Sequence, residues 1–199
     1  AIQKTEKIKI DWKKLPRDAI LYISQWVGPD NSSSILITLF NQASGKLFIL
    51  DELIVSDSIP ELVNSSFNLK IRKTTANVMS NHKLFTWLGN GKMFGRENNS
   101  SSGNINKNTM ADAYAQAKIS VVDNTFYDET GAIAAAGRMF GNPAVKNSRS
   151  VFFSESCVEA NRQCCAWSYE DDKPGVGHGL ARALCNLVFS LEYTGKFEA

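Results

Sequence analysis

Histidine is scarce in this chain of 199 residues, and His82 and His178 are the only two. Two histidines are too few for a histidine-based metal cluster. Catalysis by a serine, histidine and aspartate triad is not supported either, because the chain has no nucleophile-elbow sequence. The sequence therefore indicates neither a histidine-based metal site nor a catalytic triad.

Cysteine is also limited, and its spacing does not fit a zinc site. The four cysteines are Cys157, Cys164, Cys165 and Cys185. No pair has zinc-ligand spacing, and the adjacent Cys164 and Cys165 cannot easily form a disulfide with each other. Their surroundings are apolar and helix-like, so we expect buried free thiols in a reducing compartment.

The chain also lacks a complete phosphate-binding loop and a membrane-spanning segment. The segments "ASGKLF" and "GNGKMFG" contain Gly-Lys pairs but not the remaining residues of a Walker phosphate-binding loop, so the chain is not itself an ATPase. No apolar run reaches membrane-spanning length, so no membrane partner is expected. The numbering begins at Ala1, and we expect a fragment of a longer protein.

The charge is small overall and unevenly placed. The net charge is +2, while 43% of residues are hydrophobic and 21% are charged, as expected for one globular domain. Residues 1–17 hold six lysine or arginine residues against two acidic residues. This segment is predicted to be a basic arm, which acts either as a solvated linker or as a binding segment.

The first part of the domain is predicted to be a β-meander. Apolar, β-branched and aromatic runs predict strands at Ala19–Val27, Ile35–Phe40 and Lys46–Val55. The second and third strands are joined by "NQASG", in which Gly45 suits a hairpin position with positive φ. Three antiparallel strands are the simplest arrangement of these segments.

A change of period then predicts helices and a loop. Ser56–Lys73 is expected to be a helix with Ser58 as its cap, Thr74–Ser80 a short strand, and His82–Gly91 a short helix. Residues 90–108 are rich in Gly, Asn and Ser and poor in apolar residues. They predict an exposed loop or projecting hairpin.

The remaining chain alternates helices with strands. We expect a helix running into a strand over Thr109–Val122, a helix over Asp128–Gly141, and a strand at Ser150–Ser154. The helix expected over Glu155–Tyr169 has as its inward positions Cys157, Val158, Cys165 and Trp167. The last helix carries an apolar stripe at 3.6-residue spacing, formed by Leu180, Leu184, Leu187, Val188 and Leu191. The whole pattern predicts an α/β layered domain with a mixed sheet.

The order of these elements and the ending "SVFFSESCVEANRQCCAWSYEDDKPGVGHGLARAL" resemble the C-terminal nuclease domain of the large terminase subunit of tailed viruses. The resemblance implies a ribonuclease-H-like fold, in which a mixed sheet is flanked by helices, over residues 18–195. Family members carry Asp-His-x-x-Asp-Ala-Leu before the last helix, and His178 matches the histidine of that pattern.

The resemblance also implies three positions for metal-binding acids, and this chain has neutral residues there. Ser24 or Gln25 stands near the end of the first strand, Asn77 is the nearest match on the second strand, and Ala181 or Arg182 is aligned with the helix aspartate. Two cations about 4 Å apart need several anionic oxygen ligands for phosphodiester cleavage. We therefore expect the chain to bind Mg²⁺ or Mn²⁺ only if other acidic residues replace the three missing acids.

Four acids are candidates for such a replacement. Asp30 follows the first strand, Glu155 follows the penultimate strand, and Asp171 and Asp172 precede the last helix. They either converge on a metal or are a turn cap and solvated loop charges, and the second interpretation is favoured.

Basic side chains suggest contact with DNA. Arg182 could hold a phosphate bidentately without a cation, or it could face solvent. The wider set expected along a duplex backbone comprises Arg182, His178, Lys92, Arg96, Arg138, Lys146 and Arg149.

Three functions remain open at this point. The first is a catalytically degenerate nuclease-like domain that positions double-stranded DNA in a viral packaging motor. The second is an active two-metal endonuclease, and the third is a module that docks the terminase ATPase domain, the portal or the small subunit. The resemblance implies the cytoplasm of an infected host cell for all three, and fold-level similarity cannot choose among them.

Overall fold

The structure is a computed structural model that describes residues 7–8, 19–71, 73–81, 85–95, 108–124, 127–141, 150–166 and 178–194. Its centre is one mixed sheet with the strand order β1-β7-β4-β3-β2-β5-β6. The strands are β1 (Lys7–Ile8), β2 (Ile20–Val27), β3 (Ser33–Asn41), β4 (Lys46–Val55), β5 (Phe85–Gly89), β6 (Val121–Asp123) and β7 (Val151–Ser154). Two residues of the predicted basic arm thus form β1 at one sheet edge, next to β7.

The predicted meander is confirmed. β2 pairs antiparallel with β3, and β3 pairs antiparallel with β4. Gly45, in the turn before β4, has a φ of 65°, which is costly for residues with a Cβ. β5 then returns parallel to β2, so the ends of β2, β4, β5, β6 and β7 lie at the same edge of the sheet.

Helices cover both faces of the sheet. They are α1 (Pro60–Lys70), α2 (Lys73–Asn81), α3 (Met110–Gln116), α4 (Glu129–Phe140), α5 (Val158–Ala166) and α6 (Gly179–Tyr193). The predicted apolar stripe of α6 is confirmed, because its five members are all buried. They pack with α4 and α5 on one face, while α1 and α3 contribute to a separate apolar cluster on the other.

Two neighbouring predictions were wrong in type. Thr74–Ser80 lies in α2, where Thr75 and Val78 are buried three residues apart, so packing of one helix face overrides the strand preference of threonine and valine. The segment predicted as a helix over His82–Gly91 contains β5 instead. Trp87 and Leu88 are both buried, as expected for a strand covered on two faces, and such a strand shows no alternation.

Two local predictions also fail. Ser58 does not cap α1 as predicted, because its hydroxyl donates to Asn31 O at 2.5 Å. The N-cap residue is Ile59, which makes no side-chain hydrogen bond. On α5, the predicted inward residue Val158 is 55% exposed, and the buried positions are Ala160, Gln163 and Cys164. The buried residues have i, i+3 and i+4 spacing and so form one face of the helix, and Val158 lies outside that face.

Some predictions fall partly or wholly outside the described residues. In the predicted loop 90–108, a 3₁₀ helix spans Gly91–Phe94, and residues 96–107 are not among those described. The predicted inward residue Trp167 also lies outside them. The four cysteines are free thiols, with Cys165 half-buried and the other three buried.

Candidate functional site

A groove of about 280 Å³ lies at the sheet edge where β2 and β4 end. Its walls are the turn after β2, the start of β3, the end of β4, and parts of α5 and α6. The carboxyl ends of strands in open α/β sheets are where ligands usually bind. This groove is therefore the candidate site.

The two residues proposed for the first metal-ligand position point to opposite faces of β2. Ser24 faces α6, where its hydroxyl donates to Ala183 O at 2.6 Å. Gln25 faces the other cluster, because successive side chains of a strand alternate. Of the two residues predicted to stand in place of the first acid, Ser24 is the one on the α6 face, and its side chain is neutral and fully buried.

Gln25 belongs to a buried hydrogen-bond network instead. Its Nε2 donates to Ser33 Oγ at 2.7 Å and to the Tyr114 hydroxyl at 2.8 Å, and its Oε1 accepts from Trp87 Nε1 at 2.9 Å. The Tyr114 hydroxyl in turn donates to Ser58 O at 2.9 Å. Every polar atom of the Gln25 amide is bonded within the core, which makes it a structural residue.

Asn77, the nearest match to the second expected ligand position, is not on a strand. Asn77 is exposed on α2, away from the strand that neighbours β2. That strand is β5, and Asn90 follows it directly. The Asn90 side chain accepts from Val27 N at 3.1 Å and donates to Val27 O at 3.0 Å, so a neutral amide joins the two strand ends. Sequence reasoning missed Asn90 because it mistook β5 for a helix.

The first turn of α6 contains no acidic residue, and its first residue, Gly179, has no space for a side chain. A Cβ on Gly179 would clash with Ser34 Oγ and would lie 2.8 Å from Ser34 Cβ. Ala181 is buried and offers only a methyl group. The N–H groups of Leu180 and Ala181 donate to Gln163 Oε1 at 2.8 and 3.3 Å, so an uncharged amide from α5 satisfies this helix end.

Of the four candidate replacement acids, the structure describes Asp30 and Glu155, and only Asp30 lines the groove. Asp30 lines the groove, and its hydrogen bonds with the Ser32 side chain and backbone lower its pKa. Glu155 is exposed in the turn after β7. Asp171 and Asp172 lie outside the described residues. Among the described residues, no group of three or more His, Cys, Asp or Glu side chains could hold a metal ion.

An acid that the sequence analysis did not single out lines the groove together with an arginine. Glu159 Oε2 and Oε1 accept from Nε and Nη2 of Arg162 at 2.8 and 2.5 Å. These hydrogen bonds hold the pKa of Glu159 at about 2, well below its usual range. The pair therefore remains ionised at neutral pH.

Glu52 stabilises the helix that carries this pair. Its two carboxylate oxygens accept the backbone N–H groups of Glu159 and Ala160 at 2.9 and 2.6 Å, at the start of α5. A carboxylate is favourable at a helix N-terminus. Burial nevertheless raises the pKa of Glu52 above its usual value, and the two N–H bonds only partly oppose this effect.

The predicted DNA-binding cations do not all lie in the groove. Arg182 and His178 line the groove, and Arg182 Nε donates to Glu129 Oε1 at 2.8 Å. Lys92 Nζ donates to the carbonyls of Gly28 and Pro29, at 2.7 and 3.1 Å, and so fixes the turn after β2.

Of the four other predicted cations, the structure describes only Arg138. Arg138 pairs with Glu192 across α4 and α6 and does not line the groove. Arg96, Lys146 and Arg149 lie outside the described residues. The role of each basic residue at DNA stays a prediction.

Comparison with solved structures places the chain in a structural class. It superposes on the nuclease domain of the large terminase of P22 with a TM-score of 0.66 and 10% identity, covering 98% of this chain and 92% of that one. It also superposes on the large terminase of the thermophilic bacteriophage D6E with TM-scores of 0.57 and 0.60 in two crystal forms. The identities to these D6E structures are 15% and 14%.

The class is an α/β domain with a ribonuclease-H-like mixed sheet flanked by helices, as the sequence predicted. More particularly, the fold is the one found in the nuclease domain of phage large terminases, which confirms the resemblance seen in the sequence. The two D6E matches cover 89% and 96% of this chain but only 41% and 43% of the D6E protein.

No protein-family model matches the sequence, and no curated protein matches it. Among the described residues, no helix is long and apolar enough to cross a membrane.

Proposed function

We propose that this chain is the nuclease-like domain of a large terminase subunit, with a degenerate metal centre, and that it holds double-stranded DNA during viral packaging. Its partners would be the terminase ATPase domain, the portal or the small subunit, in the cytoplasm of an infected host cell. The fold shared with the P22 and D6E proteins supports this setting.

One observation carries the proposed degeneracy: Ser24 on β2, Asn90 after β5 and Ala181 near the start of α6 are neutral. Ser24 donates to Ala183 O, Asn90 bonds to both polar backbone groups of Val27, and Ala181 has no ligating atom in its side chain. Mg²⁺ and Mn²⁺ require hard, mostly anionic oxygen ligands. These residues do not fit a two-metal centre.

A metal-dependent endonuclease is the second candidate. Asp30 and Glu159 place two carboxylates on the same groove, which is the observation in its favour. Glu159 is engaged by Arg162 in two hydrogen bonds, however, and Asp30 is engaged by Ser32. Both acids would have to leave these partners before binding a cation.

Plasmid nicking separates the two candidates. We expect the purified domain to leave supercoiled plasmid intact with Mg²⁺ or Mn²⁺. Metal-dependent nicking that disappears in Asp30→Asn or Asp172→Asn would instead establish the endonuclease.

DNA binding tests the positive part of the proposal. Fluorescence anisotropy of a labelled duplex should show weak, sequence-independent binding that a chelator leaves unchanged and that salt weakens steeply. Arg182→Ala should reduce the slope of log affinity against log salt by about one unit. Lys70→Ala removes an exposed cation at the end of α1 that does not line the groove and is not in the predicted basic set, so it should leave the slope unchanged. If no duplex binds at low salt, the proposal is wrong, and if no single strand binds either, the protein-docking module is favoured.

A further inference from the structure

Trp26 gives the groove an aromatic wall. It follows Ser24 by two residues on β2, so both side chains point to the same face of the sheet. Trp26 packs against Tyr127 with ring centroids 5.4 Å apart and an interplanar angle of 59°. Tyr127 meets Phe189 edge-on at 6.0 Å. These contacts hold the indole in place at the groove, and Ile54, 46% exposed, adds a second apolar surface there.

Arg162 gives the same groove an oriented cation. Glu159 receives two hydrogen bonds from its Nε and Nη2 groups, which fix the plane of the guanidinium. A guanidinium has five N–H donors, so three are left for other acceptors. The side chain is 59% exposed. An oriented, accessible guanidinium is suited to a phosphate.

The size of the groove restricts the ligand. A volume of about 280 Å³ is close to the lower end of small-molecule pockets, roughly 300 Å³. In a duplex, each base is stacked between its neighbours and cannot offer its face to a protein ring without leaving the stack. Stacking on an aromatic side chain is therefore typical of unpaired strands.

We infer that the groove takes one unpaired nucleotide of a DNA strand, with its base on Trp26 and its phosphate on Arg162. The inference rests on the proposed function for the nature of the ligand, and it specifies the strand state and the two contacting residues. It requires no metal and no bond cleavage. Because every base has an aromatic face, the site reads no sequence.

Binding of labelled (dT)12, measured by anisotropy beside a duplex of the same length, tests the inference. Trp26→Leu should weaken (dT)12 binding about tenfold, whereas Trp26→Phe, which keeps an aromatic face, should bind nearly as well as the parent. Arg162→Gln should reduce the salt slope for (dT)12 by about 0.7 units. Lys70→Gln, at the exposed end of α1 and outside the groove, is the matched control and should leave that slope unchanged. Thermal unfolding of each variant verifies that it is folded.

The outcomes distinguish the inference from the proposed function. If Trp26→Leu leaves (dT)12 affinity unchanged, or weakens duplex binding equally, the inference is wrong. If the duplex still binds with an Arg182-dependent salt slope in that case, the proposed function stands. If (dT)12 binding depends on Trp26 and Arg162 while no duplex binds, the inference stands and duplex positioning is wrong.

Discussion

The side-chain oxygen of Gln163 on α5 accepts the backbone N–H of Leu180, near the start of α6, at 2.8 Å. The amide of the same residue donates to Glu159 Oε1 at 3.0 Å. Gln163 is only 3% exposed, so these bonds form where water has little access. One uncharged side chain thus joins the groove carboxylate of α5 to the helix end where the family resemblance places an aspartate.

Gln163→Leu should destabilise the domain. The substitution keeps an apolar body but leaves the N–H groups of Leu180 and Ala181 without their acceptor in a buried place. An unsatisfied buried group lowers the free energy of unfolding by about 1–3 kcal/mol. Urea unfolding measures this change, and Gln116→Leu, at the exposed end of α3, should change it by less than about 0.5 kcal/mol. Equal values for the two variants would contradict the structural role of Gln163.

Glycine at position 179 should be required for packing. Gly179→Ala introduces a methyl group that would meet Ser34, and overpacking of this kind lowers the free energy of unfolding by ~1–3 kcal/mol. A Cβ added at Gly137, within α4, would have no atom of the described residues within 4 Å, apart from the backbone of the helix itself. Gly137→Ala should therefore raise the free energy of unfolding by about 0.5–1 kcal/mol. Chemical denaturation of both variants should give opposite signs; a loss of stability in Gly137→Ala would refute the comparison.

The buried phenol of Tyr114 should ionise late. Burial raises its pKa to about 12 from the ordinary value of 10.0, although the Gln25 hydrogen bond opposes the shift. Because the folded state favours the neutral phenol, the stability it contributes is complete below pH 10 and is lost as the pH rises through about 12. Ultraviolet titration of tyrosine ionisation should show this late step, and Tyr114→Phe should remove it.

The environment of the thiols predicts one reactive cysteine. Burial raises the pKa of Cys185 to about 12 and that of Cys164 well above its usual value, and Cys157 is also buried. The thiolate is the reactive form, so these three should resist a disulfide reagent in the native protein. Half-buried Cys165 should react first, and Cys165→Ser should abolish the rapid phase. Denaturant should make all four react, and rapid reaction of more than one native thiol would contradict the buried positions.

Local sequence pattern determined the three-stranded meander and the last helix. β2, β3 and β4 contain long apolar and β-branched runs, and α6 carries a stripe at helical spacing, so their types follow from periodicity alone. The assignment of Ser24 or Gln25, and of Ala181 or Arg182, to positions where family members carry acids comes from the resemblance and stays a prediction.

Tertiary packing decided what short-range pattern could not. Thr74–Ser80 became a helix and Phe85–Gly89 a strand because each buries its apolar residues against distant elements, and only this arrangement brings Asn90 beside Val27. The groove pair of Glu159 and Arg162 depends likewise on Glu52 of β4, more than a hundred residues earlier in the chain, which bonds the start of α5. Sequence patterns report local periodicity, whereas a site is assembled from side chains that meet only when the sheet and helices pack.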